Sequence, residues 1–431
     1  MDKRILFILL CFPVALFAQN QEVATYVNYN LLNYRNETSY CTNSNNSPLA
    51  KEGYLKTIFS YIQPDLIACN EVGANPSNAL KILDRTLNVD GETKFKMASF
   101  SSTSGSSLAN AFFYNGEMFT LKKSDKITEG VGGSYIVRLI DVFELYYNDA
   151  NLPLGSDTTF LTVFVGHLKA GTGSSNETQR ANTTAAVTNY LETKNIAGNY
   201  IISGDFNVYS ASEKAFQNLV SPDNPEVKFI DPVNRMGSWN NNAAYADVHT
   251  QSTHSTSNSC ASGGGLDDRF DFVLISDAIK TDADHIKYVR NSYKAVANDA
   301  KHFNKAINNP ANTSVPADVL KAIYDNSDHL PVVMDMIITE SQPNGISNVS
   351  LPSVDVKLVN PSKGVLKGVI NGAIDDYAIK VYSITGSLLL STTFTNDVKK
   401  EFSYPINEQG VIVVEITNLS GFKAVYKVVQ N

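Results

Sequence analysis

Between residues 22 and 338 the chain carries eight short runs rich in β-branched and aromatic residues, and most of them break off on a polar side chain. The runs are EVATYVNY, DLIACNEV, NAFFYN, YIVRLIDVFELYY, TTFLTVFVGHL, NYIISGDF, RFDFVLIS and HLPVVMDMII, each bounded by turn-forming residues. Runs of this kind predict buried strands. Two segments between them have helical spacing. SPLAKEGYLKTIFSYI repeats apolar residues at Leu55, Ile58, Phe59 and Ile62 before Pro64, and ETQRANTTAAVTNYLETK carries Ala181, Ala185, Val187, Tyr190 and Leu191. Strands mixed with helices imply a layered α/β or α+β domain.

The polar residues at the run ends constrain function. They are Asn30 and Asn33 in YNLLNY, Glu71 in CNEVG, His167 and Lys169 in GHLKAG, Asp205 and Asn207 in SGDFN, Asp271 in RFDFV, and Asp328 with His329 in SDHLPV. Burying such groups without partners is costly, so they are expected to meet one another or a ligand. Carboxylates, carboxamides and two histidines suit a hard divalent cation combined with general acid–base chemistry. Each residue alone has a plainer reading. Asn30 and the GDFN stretch could be turns, Glu71 a satisfied strand-end acid, His167 a packed core histidine, Lys169 a solvated cation, Asp271 a loop cap and Asp328 a helix cap. ASGGGLDD is a flexible loop, since no Lys-Ser/Thr pair follows it as a phosphate loop requires.

Taken in order, Asn30, Glu71, His167, Gly204 to Asn207, Asp271 and Ser327 to His329 resemble the endonuclease/exonuclease/phosphatase superfamily, the DNase-I-like fold, over roughly residues 23–340. The resemblance implies a four-layer α/β sandwich with a phosphoesterase site at one edge of two packed sheets. It implies Glu71 as the principal ligand of Mg²⁺, with Mn²⁺ or Ca²⁺ as alternatives, and Asn30 and Asp328 beside it. It implies His329 as general base, Asp271 as the partner that orients its ring, and Asp205 as the group that orients the nucleophile. Asn207 would donate to a phosphate oxygen, His167 would stabilise charge on the phosphoryl group or protonate the leaving oxygen, and Arg138, Lys169 and Asn33 would bind substrate. One position departs from the pattern. DNase-like members pair the histidine with an acid near the start of the NAFFYN strand, where this chain has Leu108 and Asn110 and no acid until Glu117.

The start of the chain, MDKRILFILLCFPVALFAQ, has a basic beginning, an apolar run too short to span a bilayer and a small residue at Ala18. It reads as a secretory signal over residues 1–18, with a lipoprotein reading through Cys11 less favoured. No other stretch is apolar enough for membrane insertion. Secretion implies an oxidising compartment, where Cys41 and Cys260, both in polar surroundings, could pair; Cys69 in LIACNEV reads as a buried hydrophobe. Net charge is −8 at 431 residues, which excludes coating of nucleic acid by charge alone and leaves metal-assisted turnover open.

Residues 19–340 thus read as the catalytic domain and residues 341–350, rich in Pro, Gly and polar residues, as a linker. Residues 351–431 alternate short strands with turns, as an all-β sandwich does. LVNPSKGVLKGVI, IKVYSITGSLLLS and GFKAVYKVVQ resemble the sorting domain of type IX secretion substrates from the Bacteroidetes. The expectation is a secreted or surface-attached, monomeric, metal-dependent phosphodiesterase that hydrolyses DNA or RNA as an endonuclease and engages the type IX machinery through its C-terminus. The alternatives are a phosphoesterase for phospholipid headgroups or small phosphate esters, and a non-catalytic adhesin on the same fold.

Overall fold

The structure is a computed structural model that describes residues 20–341, 354–371, 375–396, 399–418 and 423–430. The signal over residues 1–18, nearly all of the linker and the first residues of the C-terminal domain lie outside the described residues. The chain divides into two compact units, one ending at Glu340 and the other taking in the chain from Ser341 together with residues 149–158. That short excursion stands in the catalytic domain in the sequence reading.

The first unit holds two sheets. One contains β1 (Gln21–Tyr34), β2 (Leu66–Gly73), β3 (Phe95–Met97) and β4 (Leu108–Asn115). The other begins with β5 (Phe119–Ile127), β6 (Ile140–Tyr147), β7 (Phe160–His167), β8 (Tyr200–Asp205), β9 (Phe229–Ile230) and β10 (Asp271–Ser276). Three later strands, β11 (Ile286–Tyr288), β12 (Lys294–Ala295) and β13 (Val332–Thr339), return to the first sheet. The orders are β11-β13-β1-β2-β4-β3, with β12 against β13, and β5-β6-β7-β8-β10-β9. Tyr26, Leu66, Ala68, Phe112 and Met334 of one sheet pack on Phe143, Val163, Ile201 and Val273 of the other.

Helices flank the two sheets. They are α1 (Pro48–Ile62), α2 (Pro76–Ile82), α3 (Ser174–Thr193), α4 (Lys214–Val220), α5 (Asp277–Thr281) and α6 (Ala317–Asn326). The α1 residues Leu55, Ile58 and Phe59 and the α6 residues Val319 and Ile323 pack on Val27, Tyr29 and Ile67. Val187 and Leu191 of α3 and Phe216 and Leu219 of α4 pack on Phe164, Ile202 and Phe272. The result is a four-layer α/β sandwich. No helix among the described residues is long and apolar enough to cross a membrane. The polar edge strand β5, with residues as exposed as Lys122 and Lys123, and helix α6 escape the strand and helix patterns read from sequence.

Two features place the functional side chains. The pairs β1–β2 and β7–β8 run parallel, with Asn30 opposite Asn70 and His167 opposite Asp205. Their C-terminal ends therefore emerge on one rim, where a ligand site is expected in such sheets. The register also slips beside Glu71, between β1 and β2 and between β2 and β4. Glu71 itself has φ of 57°, and Leu32 and Asn33 in β1 share the left-handed region. Bulges of this kind re-aim side chains next to active sites, and non-glycine residues are held there only by surrounding structure.

Cys41 and Cys260 form a disulfide across 219 residues, buried beside Leu32 and Ala261, and Cys69 is free and buried. Closing so long a loop constrains the unfolded chain. The double substitution Cys41→Ser/Cys260→Ser is expected to lose about 2–5 kcal/mol of stability. Chemical denaturation measures this, and wild type under reductant should match the variant.

The second unit contains β14 (Asp355–Leu358), β15 (Val365–Asn371), β16 (Asp375–Ser383), β17 (Leu388–Asn396), β18 (Lys399–Pro405), β19 (Gly410–Asn418) and β20 (Lys423–Gln430). They form antiparallel sheets ordered β14-β15-β18 and β17-β16-β19-β20. Leu366, Ile370 and Phe402 pack with Ile379, Val381, Val414 and Val428, an all-β core.

Candidate active site

Asn30, Glu71, His167, Asp205, Asp271 and His329 meet at the rim where the two sheets face each other. His329 precedes β13, and its Nδ1 lies 2.7 Å from Asp271 Oδ2. Asp271 opens β10 rather than interrupting it, opposite Asp205 at the end of β8. Asp205 Oδ2 is 3.8 Å from His329 Nε2 and 3.5 Å from His167 Nε2. Asn30 donates from Nδ2 to Asp205 Oδ2 at 3.0 Å and to Glu71 Oε1 at 3.1 Å. Its Oδ1 accepts from the Leu32 amide, which fixes the orientation of the carboxamide. Glu71 also accepts from the Asn33 backbone at 2.9 Å. It is the most open of this group, with 16% of its side chain exposed, whereas His167, Asp205 and His329 are each at 3%.

The electrostatics follow from burial and neighbouring charge. Burial alone would lower the His329 pKa, but Asp271, with Asp205 and Asp328, outweighs it and raises the ring well above the ordinary imidazole value. His167 moves the other way. Burial, then Arg138 and His329, hold it well below that value, so it is neutral at pH 7. Its Nδ1 has no hydrogen-bond partner among the described residues. Burial pushes Asp205 up to about 7, with Asp271 and Glu71 adding to the effect and His329 and Asn30 opposing it.

The remaining predicted residues lie around this centre. Asn207, with φ of 51°, donates its backbone amide to Asp205 Oδ1 at 3.1 Å. Arg138 sits in the loop before β6, not in a strand, and donates to the carbonyls of His167 and Leu168. Lys169 is partly exposed and donates to its neighbour's carbonyl, on Ala170. Asn33 accepts through Oδ1 from Asn36 at 2.7 Å. Asp328 Oδ1 lies 4.0 Å from His329 Nε2, and its Oδ2 accepts from the Ser262 amide at 2.9 Å and from Gln251 at 3.3 Å.

Among the described His, Cys, Asp and Glu residues, Glu71, His167 and Asp205 bring one donor atom each within 4.8 Å of one another. Two carboxylate oxygens and one neutral imidazole nitrogen fit a divalent cation. This set shares only Glu71 with the Glu71, Asn30 and Asp328 grouping read from sequence. Asn30 stands beside this set as a donor to Glu71 and Asp205, and Asp328 Oδ1 lies 4.0 Å from His329 Nε2.

Two contributors escaped the sequence reading. Gln251 Nε2 lies 2.7 Å from His329 Nε2, a contact the amide can donate only when that nitrogen is unprotonated. In the neutral ring this contact goes with the proton on Nδ1, facing Asp271. Nothing in the polar stretch HTQSTH singles this residue out. Lys51 is 1% exposed and donates to the carbonyls of Leu31 and Asn326, clamping the segment after Asn30 to the segment before Asp328. Burial pushes its pKa down to about 7 against the pull of Asp328 and Glu71. It lies four residues before Leu55, on the apolar stripe of α1, and a lysine there was the available signal.

No protein-family model matches the sequence, and no curated protein matches it. Among solved structures, the chain is similar to the human Nocturnin catalytic domain with bound sulfate (13% identity, 74% of this chain, 97% of that chain, TM-score 0.44). It is also similar to D. rerio TDP2 complexed with single-strand DNA product (10%, 73%, 98%, TM-score 0.45). A third is the endonuclease/exonuclease/phosphatase from Bacteroides vulgatus (11%, 73%, 98%, TM-score 0.45).

Proposed function

We propose that the chain is a secreted, divalent-metal-dependent phosphodiesterase that cleaves DNA or RNA as an endonuclease. One observation carries this reading: the Asp271–His329 pair meets the Glu71, His167 and Asp205 set on a single rim. A cation held by Glu71, His167 and Asp205 supplies positive charge for a phosphoryl oxygen and for an attacking water. His329 accepts the proton of that water at Nε2, and Asp271 keeps the ring proton on Nδ1. Asp205 orients the nucleophile. Asn207 and Arg138 serve as donors to the phosphate oxygens, and Lys169 binds substrate. The carboxylates in the ligand set suit Mg²⁺, Mn²⁺ or Ca²⁺.

Residues 1–18 direct export, and the C-terminal β-sandwich addresses the type IX secretion machinery, leaving the protein outside the cell, free or surface-attached, as a monomer. The Cys41–Cys260 disulfide suits an oxidising compartment.

A second reading, hydrolysis of a phospholipid headgroup or small phosphate ester, is favoured by one feature. A cavity of about 420 Å³ lies beside Asn33, lined by Arg35, Asn36, Asn43, Asn46 and Asn78. Its guanidinium is already paired with Glu52, so the cavity suits a neutral hydrogen-bonding group.

Purified mature protein with Mg²⁺ or Mn²⁺ on plasmid DNA, RNA, sphingomyelin vesicles and p-nitrophenyl phosphate separates these readings. Nicking of plasmid or cleavage of RNA, abolished by a chelator and restored by the ion, is the expected result. Hydrolysis of sphingomyelin or the monoester alone moves the assignment to the second reading. No hydrolysis of any substrate removes both.

A further inference from the structure

A chain of three buried polar side chains crosses the apolar interface between the sheets directly beneath the site. Asn70 on β2, Asn110 on β4 and Asp141 on β6 are 0%, 3% and 2% exposed. Asn110 donates from Nδ2 to Asp141 Oδ2 at 3.1 Å and to the Val165 carbonyl at 3.2 Å. Its Oδ1 accepts from Asn70 Nδ2 at 2.9 Å. Asn70 also donates to the Gly166 carbonyl at 3.1 Å and accepts, through Oδ1, the Asp205 amide at 3.1 Å. The neighbours around it are Phe112, Phe143, Val163 and Val165, which form ordinary sheet-to-sheet packing.

Each link ends one residue from a site side chain, or on one. Asn70 precedes Glu71, Gly166 precedes His167, and Asp205 is held by its own amide. Burial pushes the Asp141 carboxyl up to about 8, with Asn110 and Lys126 opposing more weakly, so it serves as a neutral end to the chain. Apolar residues at these positions would pack between the sheets with no polar groups to satisfy. A fully satisfied polar network instead imposes one geometry.

We propose that Asn70, Asn110 and Asp141 are positioning residues that set the spacing of Glu71, His167 and Asp205 by tying β2 to β7 and β8 across the sheet interface. The ladder does for the cation set what partners behind metal ligands do elsewhere, and losing such partners typically weakens metal affinity or activity about 10–100-fold. It rests on the reading of Glu71, His167 and Asp205 as a cation site.

The test is the double substitution Asn110→Leu/Asp141→Leu in the full mature protein, compared with wild type and with Glu71→Gln. Removing both hydrogen-bonding partners together leaves no orphan between those two positions, so the melting temperature should stay near wild type. Mn²⁺ affinity by calorimetry should nonetheless fall by about tenfold or more, and kcat with it, while KM moves less than about threefold. Wild-type Mn²⁺ affinity and kcat in the double variant would overturn the ladder. If the double variant does not fold, Asn110→Ser, too short to reach Asn70 and Asp141 at once, gives the same comparison. The cation reading fails separately: wild type that binds no Mn²⁺, or that binds it no better than Glu71→Gln, removes that reading and the ladder with it.

Discussion

Replacing His329 with alanine is expected to lower hydrolysis by about two to four orders of magnitude while the protein stays folded and keeps its divalent-cation affinity. The residue is 3% exposed, yet its contacts are polar rather than packed: Asp271 at Nδ1, and Gln251 and Asn30 at Nε2. It is not among the groups that gather as the cation set. Circular dichroism and Mn²⁺ calorimetry should therefore change little as the rate collapses, and near-full turnover would sink its role as base. The pH profile carries a sign. Asp271 holds the His329 pKa above the ordinary value, so the unprotonated base form gains population as pH rises, and activity should rise on that limb. Asp271→Asn removes the raising charge, so the limb should move to lower pH while the maximum rate falls. A limb that stays in place would show that another group sets it.

Gly204→Ala should be the most damaging small substitution in the first unit. Gly204 lies in the GDFN stretch, opposite Gly166 in the parallel β7–β8 pair. Its φ is +149°, and a Cβ placed there would stand 1.7 Å from the Gly166 carbonyl oxygen. Since that obstacle is backbone, β8 must move away from β7, carrying Asp205 with it. A loss above about 4 kcal/mol is expected, in the range reserved for severe backbone or core disruption. Denaturant titration measures it. Gly53→Ala is the control, because a Cβ at that position in α1 meets nothing within 4 Å, and an alanine in a helix interior is expected to stabilise by up to about 1 kcal/mol. Similar stability for the two variants would refute the argument.

These cases show what the sequence makes legible. Asn30, Glu71, His167, Asp205, Asp271 and His329 stood out because each polar group ends or interrupts an apolar run, a local signal that needs no knowledge of the partner. The alternation of runs and helical segments carried the layered fold in the same way. The disulfide was suggested by the settings of Cys41 and Cys260 but not required by them. What stayed hidden depends on contacts distant in sequence. Asn70 and Gly166 are 96 residues apart, and Asn70 and Asp205 are 135. Asn110 and Asp141 lie inside runs that read as plain strands, so nothing local reveals that they face one another across two sheets. Arg138 was placed in a strand because YIVRL looks continuous with LIDVFELYY, whereas pairing begins only at Ile140. Gln251 has no pattern to announce it.

The covalent bridge closes a ring of main chain from Cys41 to Cys260 that contains Glu71, His167 and Asp205, while Asn30, Asp271 and His329 lie on the two tails. A protease that cuts any one surface loop inside this ring releases no fragment. The clipped protein would migrate intact until a thiol is added and then part into two pieces. A chain closed in this way can be nicked once inside the ring and still hold its six central side chains in register.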